Sequence, residues 1–203
     1  MKITSPDDLI DRALLAAVAD SDRAAFDRLY RRYEARVHGY VKSIVRDPDA
    51  ADDIVVATMT TVWQIATSYA AKSRVSTWIL GIARHKAIDE LRSRMRSPAT
   101  IPVESALEME EPAPAASDAV DAEQLRQSMR QAMSLLSTEH QEALRLAYYE
   151  ELPYEEIAEL LGIPPNTVKS RVFYAKQELR RHLPAPSDYS IRPISRGCVA
   201  LTL

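Results

Sequence analysis

Residues 154–183, YEEIAELLGIPPNTVKSRVFYAKQELRRHL, restrict the folds open to this chain more than any other stretch. Ile157, Ala158, Leu160 and Leu161 place an apolar stripe on a short helix, and Glu155, Glu156 and Glu159 fall on its other face. Gly162 ends that helix. Pro165 suits the first turn of the next one, where its missing N–H costs nothing, and Val168, Val172, Ala175 and Leu179 recur at helical spacing to pack it inward. The expected outer side carries Pro165, Asn166, Thr167, Lys169, Ser170, Arg171, Tyr174 and Lys176. Asn and Arg pair bidentately with base edges, and Lys, Ser and Thr bond or neutralise phosphates, so this set suits a helix lying in the major groove of duplex DNA. The competing reading is an ordinary helical hairpin with a solvated basic face. Small Ala158, the Gly162 turn and inward Val168 together favour the helix-turn-helix.

Net charge, −3 overall, hides a sorting of charge along the chain. Residues 72–96 hold seven Lys or Arg against Asp89 and Glu90, and 164–183 hold five against Glu178. Between them, 104–123 carry seven acids and no Lys or Arg. Two basic blocks predict two nucleic-acid contacts, and the acidic stretch between them should avoid DNA.

Four prolines (98, 102, 112, 114) in Ala- and Glu-rich sequence without apolar periodicity mark a flexible linker over 97–122. The expected fold is all-α: an N-terminal segment 1–22, a helical domain 23–96, the linker, a helix-turn-helix domain 123–183 and a tail 184–203. The tail's apolar end either frays or docks on a partner. At 46% hydrophobic content two small cores can form, while no apolar run approaches a membrane span and the N-terminus lacks a signal-peptide layout, so a cytoplasmic protein without membrane insertion is expected. Cys198 is the only cysteine, and His38, His85, His140 and His182 are scattered, so no metal or other cofactor is expected. Four glycines leave no phosphate-cradling loop, and no nucleophile and base can be paired by spacing, which argues against an enzyme.

In the first domain, Phe26, Leu29, Tyr30, Tyr33, Val37, Tyr40, Val41, Ile44 and Val45 follow helical spacing up to Asp47-Pro48. A second helix, 49–68, opens with Asp49, Asp52 and Asp53, favourable at a helix N-terminus, and should bury Ile54, Met59, Val62 and Ile65. After a polar loop, a third helix should bury Trp78, Ile79, Ile82, Ala83, Ala87, Ile88 and Leu91, and present Arg84, His85, Lys86, Arg92 and Arg94 outward. Tyr69 and Trp78 beside the loop either support an unstacked base or belong to the core.

Taken in order, FDRLYRRYEARVHGYVKSIVRDPDAADDI, VSTWILGIARHKAIDELRSR and LSTEHQEALRLAYYEELPYEEIAELLGIPPNTVKSRVFYAKQELRRHL resemble a sigma-70 family factor of the extracytoplasmic function type over about residues 23–183. The resemblance implies that the first domain is sigma region 2, which binds core RNA polymerase and opens the minus-10 element. It also implies that the second is region 4, which reads the minus-35 element of promoter DNA. Carried over by position, Asp49, Asp52, Asp53, Val56, Met59 and Trp63 would bind polymerase. Tyr69, Lys72, Arg74, Ser76, Thr77, Arg84, His85, Lys86 and Arg92 would contact the minus-10 DNA, and the outer side of the recognition helix the minus-35. An anti-sigma factor is an implied possible partner. The chain departs from the family pattern at Val56-Ala57 and Met59, which bears on core-polymerase affinity, and at His85 and Pro165-Asn166, changes that would retune promoter specificity. A linker of about 25 residues spans at most roughly 80–90 Å, enough for two turns of DNA of about 70 Å. The rival reading is a stand-alone helix-turn-helix regulator acting without polymerase.

Overall fold

The computed structural model describes residues 6–96 and 119–183, with side chains in the second stretch from residue 127 onward; the linker 97–118 and the tail 184–203 lie outside the described residues. Two compact units divide the chain between Ala106 and Leu107. The described residues form eight α-helices and no strand.

The first unit packs α1 (Pro6–Ala19), α2 (Arg23–Val45), α3 (Pro48–Ile65) and α4 (Val75–Arg96), with a single 3-10 turn at Ala66–Ser68. The boundary signals work locally. Asp22 accepts from the N–H groups of Ala24 (2.8 Å) and Ala25 (3.1 Å) to start α2, and Arg46, at φ 56°, ends it in the left-handed region. Asp47 then caps α3 with Pro48 in its first turn. Leu29, Tyr33, Val37 and Val41 of α2 meet Ile54, Met59 and Val62 of α3 and Ile79, Ala83 and Ala87 of α4 in one core.

The segment 1–22 supplies α1, and Leu15 and Val18 enter that core at 1% and 2% exposure. Two of its acids, Asp8 and Asp11, face inward. Asp11 accepts from the Tyr33 hydroxyl at 2.5 Å and pairs with Arg32, while Asp7 takes the other arm of the same guanidinium at 2.6 Å. Burial, followed by the Asp11 carboxylate, pushes the Tyr33 hydroxyl far above its ordinary pKa, so it remains a proton donor.

The second unit contains α5 (Ala119–Ser134), α6 (Thr138–Tyr148), α7 (Tyr154–Leu161) and α8 (Pro165–His182). Helix α5 therefore begins inside the stretch read as linker. Buried Gln141 donates from Nε2 to the carbonyls of Met133 and Leu136, both at 2.9 Å, and fixes the α5–α6 turn. Gly162 ends α7 at φ 67°, and the N–H of Ile163 returns to the Ala158 carbonyl at 3.1 Å. Val168, Val172, Ala175 and Leu179 are buried as their spacing predicts.

Inward–outward expectations fail on α3 and α7. Glu156 was expected on the outer face of α7 but is 2% exposed, and Ile65, expected in the core, is 38% exposed at the end of α3. In both cases helical phase alone misjudged which side the neighbouring helices cover.

Candidate nucleic-acid interface

The outward side of α8 follows from its buried side. With Val168, Val172, Ala175 and Leu179 inside, the 100° step per residue leaves Asn166, Lys169, Ser170, Phe173 and Gln177 in one external stripe. Pro165, Asn166, Lys169, Ser170 and Tyr174 are exposed; Thr167 and Arg171 are half-buried on the flanks. Ser170 donates its hydroxyl to the Thr167 carbonyl at 3.0 Å. The Arg171 cation acts on Glu139 at the start of α6, whose carboxyl is held low chiefly by a backbone N–H and the Ser137 hydroxyl and in smaller part by Arg171.

Lys176 differs from the expectation of an outer, DNA-facing side chain. It is half-buried, donates to the Tyr148 hydroxyl at 2.7 Å and lies 5.1 Å from that ring's centroid, tying α8 to α6. Phe173 is the residue the sequence reading omitted: it is 56% exposed beside Tyr174, at 57%, with their rings 5.6 Å apart. The available signal was positional, since Phe173 lies seven residues after Asn166, two turns along the same face.

In the first unit, the loop before α4 is closely tied. Tyr69 donates its hydroxyl to the Ser73 carbonyl at 2.6 Å, Arg12 of α1 reaches the same oxygen at 3.4 Å, and its guanidinium sits 5.9 Å from the Tyr69 ring centroid. Trp78 packs against Tyr69 with ring centroids 5.4 Å apart, and both rings rest half-buried against the core. Lys72 is exposed and Arg74 half-buried. Along α4, His85 and Arg92 are exposed, Arg84 and Lys86 half-buried, and Arg92 lies 3.6 Å from Asp89.

Ser76 and Thr77 were expected to touch DNA, yet they are 6% and 5% exposed. They occupy the first turn of α4, which α1 covers, so their side chains face the packed interior. Arg94, expected outward, is half-buried and bridges Asp47 and Glu90, each at 2.7 Å.

The residues assigned to polymerase binding divide in the same way. Asp49, Asp52, Asp53 and Val56 are exposed on α3, with Val56 at 57%. Met59 is fully buried in the core, and Trp63 is half-buried with its ring edge-on to Phe26 at 5.1 Å. Asp52 and Val56 line a cleft of about 470 Å³ between α2 and α3 with Tyr30, Glu34, Ala35, His38 and Val55. His38 Nε2 lies 3.4 Å from Asp52 across it. Burial, Glu34 and Asp52 raise the Tyr30 pKa.

Among the described residues, no helix is long and apolar enough to cross a membrane.

Comparison with known proteins matches the order of the two units. The family model for sigma-70 region 2 matches residues 29–97, and that for sigma-70 region 4 matches 126–179. The ECF RNA polymerase sigma factor SigK of Mycobacterium sp. (strain KMS) is 33% identical over 160 residues, covering 78% of this chain and 83% of the relative. The structure of CnrH in complex with the cytosolic domain of CnrY aligns at a TM-score of 0.59 with 21% identity, covering 85% of this chain and 96% of the other. The sigma factor RpoE of Bartonella quintana, solved with the anti-sigma factor NepR, aligns at 0.55 with 24% identity, covering 72% of this chain and 88% of the other; both likenesses are of fold. With both region models matched in order and a relative this similar along most of its length, the chain belongs to the sigma-70 family of RNA polymerase sigma factors, in its ECF group.

Proposed function

We propose that this protein binds core RNA polymerase, directs it to promoters with a minus-10 and a minus-35 element, and assists strand opening. The observation that carries the reading is the pairing of two region matches in the family's order with an outward α8 stripe of Asn166, Lys169, Ser170 and Phe173. In this reading the stripe enters the minus-35 major groove: Asn166 reads a base edge, Lys169 and Ser170 serve phosphate or base edge, and Phe173 gives an apolar face for a thymine methyl. Arg171 reaches the groove from the flank.

The minus-10 contact belongs to the loop that holds Tyr69, Lys72 and Arg74 and to the exposed side of α4 with Arg84, His85, Lys86 and Arg92. An extruded base can stack on an aromatic face there, worth roughly 1–3 kcal/mol, while cations hold the strand. The α2–α3 cleft with exposed Val56 and acids Asp49, Asp52 and Asp53 is the surface for polymerase. The protein performs no catalysis of its own and works in the cytoplasm, where core polymerase is. An anti-sigma factor is a fitting partner, supported by the neighbour RpoE having been solved with NepR. A stand-alone helix-turn-helix regulator gives no account of the region 2 match.

Reconstitution with core polymerase, followed by genome-wide mapping of transcription starts, tests the role. The expected result is a shared two-part motif upstream of the starts. A chain that never associates with core polymerase, in the absence of any regulator, would refute it.

A further inference from the structure

Helix α4 begins with a problem that its own sequence does not solve. The N–H of Trp78 bonds the Arg74 carbonyl at 3.1 Å, which makes Arg74 the capping position, yet a guanidinium has donors only and cannot accept from the helix's first N–H groups. The acceptor comes from α1. Asp8 Oδ1 receives the buried N–H of Val75 at 3.1 Å across 67 positions of sequence. Asp8 is 4% exposed, and its other oxygen is held by Arg12 Nε at 2.7 Å. Arg12 in turn reaches the Ser73 carbonyl, the same oxygen that the Tyr69 hydroxyl bonds.

From this we infer that Asp8 and Arg12 are positioning residues for the minus-10 loop: α1 caps α4 from a distance and fixes both ends of the loop before DNA arrives. The inference rests on the reading of that loop as the base-capturing site. A loop held this way does not lose the conformational freedom of its residues at the moment of capture, so the ordering cost is met during folding and the affinity for an extruded base rises. Ala71, at φ 52°, shows that the fold holds this loop in a conformation that L residues rarely adopt.

The test uses reconstituted holoenzyme and a promoter taken from the start-site mapping. Two fluorescent probes are titrated: a single strand carrying the minus-10 segment, and the same strand with that segment scrambled. The ratio of the two affinities is read for wild type, Asp8→Ala, Asp8→Asn and Arg12→Ala, together with minus-35 duplex affinity and thermal stability. Asp8→Ala should lower the minus-10 ratio roughly 2- to 30-fold, the span of losing a helix cap. Asp8→Asn, which keeps an acceptor for Val75 but loses the charge, should recover part of it, and Arg12→Ala should fall between. Minus-35 affinity per folded molecule should not change. A purely structural role would reduce the active fraction and scale both probes equally, so an unchanged ratio in Asp8→Asn and Arg12→Ala overturns the inference even if Asp8→Ala does not fold. If wild type itself fails to discriminate the probes, the reading of the loop is what falls.

Discussion

Gly162 offers the cleanest quantitative test of the helix-turn-helix geometry, because its environment separates conformational strain from steric clash. It sits at φ 67°, and a methyl group built at its Cα would meet nothing within 4 Å. Gly162→Ala therefore adds no collision, and its cost is the left-handed backbone, about 1–2 kcal/mol. Against this, alanine restricts the unfolded chain and returns about 0.4–1 kcal/mol. Taken at mid-range, about 1.5 against about 0.7 kcal/mol, the net expected loss is about 0.8 kcal/mol in the second unit. Gly162→Asn should lose less, since asparagine tolerates this region. Both tryptophans, Trp63 and Trp78, belong to the first unit, so their fluorescence is blind to this change. Hydrogen exchange across 154–182 in urea, with far-UV circular dichroism, follows the relevant transition. Buried Val168 and Val172 still orient α8, so minus-35 affinity should fall only as the folded population falls. An alanine variant as stable as wild type, or an asparagine variant worse than alanine, would refute this division of strain and sterics.

Phe173→Ala should weaken minus-35 binding by about 1 kcal/mol, and replacing the contacted thymine with deoxyuridine should reproduce that loss in wild type but add nothing in the variant; full additivity in a fluorescence titration would remove Phe173 from the base-reading set. Tyr33→Phe leaves one oxygen of buried Asp11 without its donor and should cost about 1.5–3 kcal/mol in the first unit, read as a lower urea midpoint by tryptophan fluorescence. For Asp47, the hydrogen bond from Arg94 comes first in holding the carboxyl below its ordinary 3.8. A carboxyl depressed on folding contributes its stability fully above that value and loses it as pH falls toward its folded pKa. At about one third exposure for both partners the contribution is only about 0.5 kcal/mol. Asp47→Asn should therefore lower stability slightly at neutral pH and flatten its decline below about pH 4, whereas an unchanged acid limb in urea titrations at pH 3–6 would discount the Asp47–Arg94 pair.

Helix identity and the inward faces of α2, α3 and α8 were legible from residue spacing. Val168, Val172, Ala175 and Leu179 repeat at a period that leaves a helix one way to lie, and Asp22, Asp47-Pro48 and Gly162 mark boundaries by chemistry within a few residues of where it acts. The candidate DNA-reading stripe was largely legible for the same reason, as the remainder of a helix whose core side is known. Phase alone could not say how wide each covered face is. Thus Glu156, outward by phase, is buried and Ile65, inward by phase, is exposed; Ser76 and Thr77, given to DNA by the family resemblance, are buried, and Met59 fills the core as its spacing predicts although the resemblance gives it to polymerase. Lys176 was read by its charge, but Tyr148, from another helix, decides where it points.

What the amino-acid order determines by itself is therefore everything set by neighbours a few residues away: periodicity, caps, turns and the sorting of charge. Tertiary structure alone decided that α1 belongs to the core of the first unit and that Asp8 completes a helix beginning at Val75. No local pattern can encode that contact, because a hydrogen bond between residues 67 positions apart exists only after α2, α3 and α4 have packed and brought the two chain segments together.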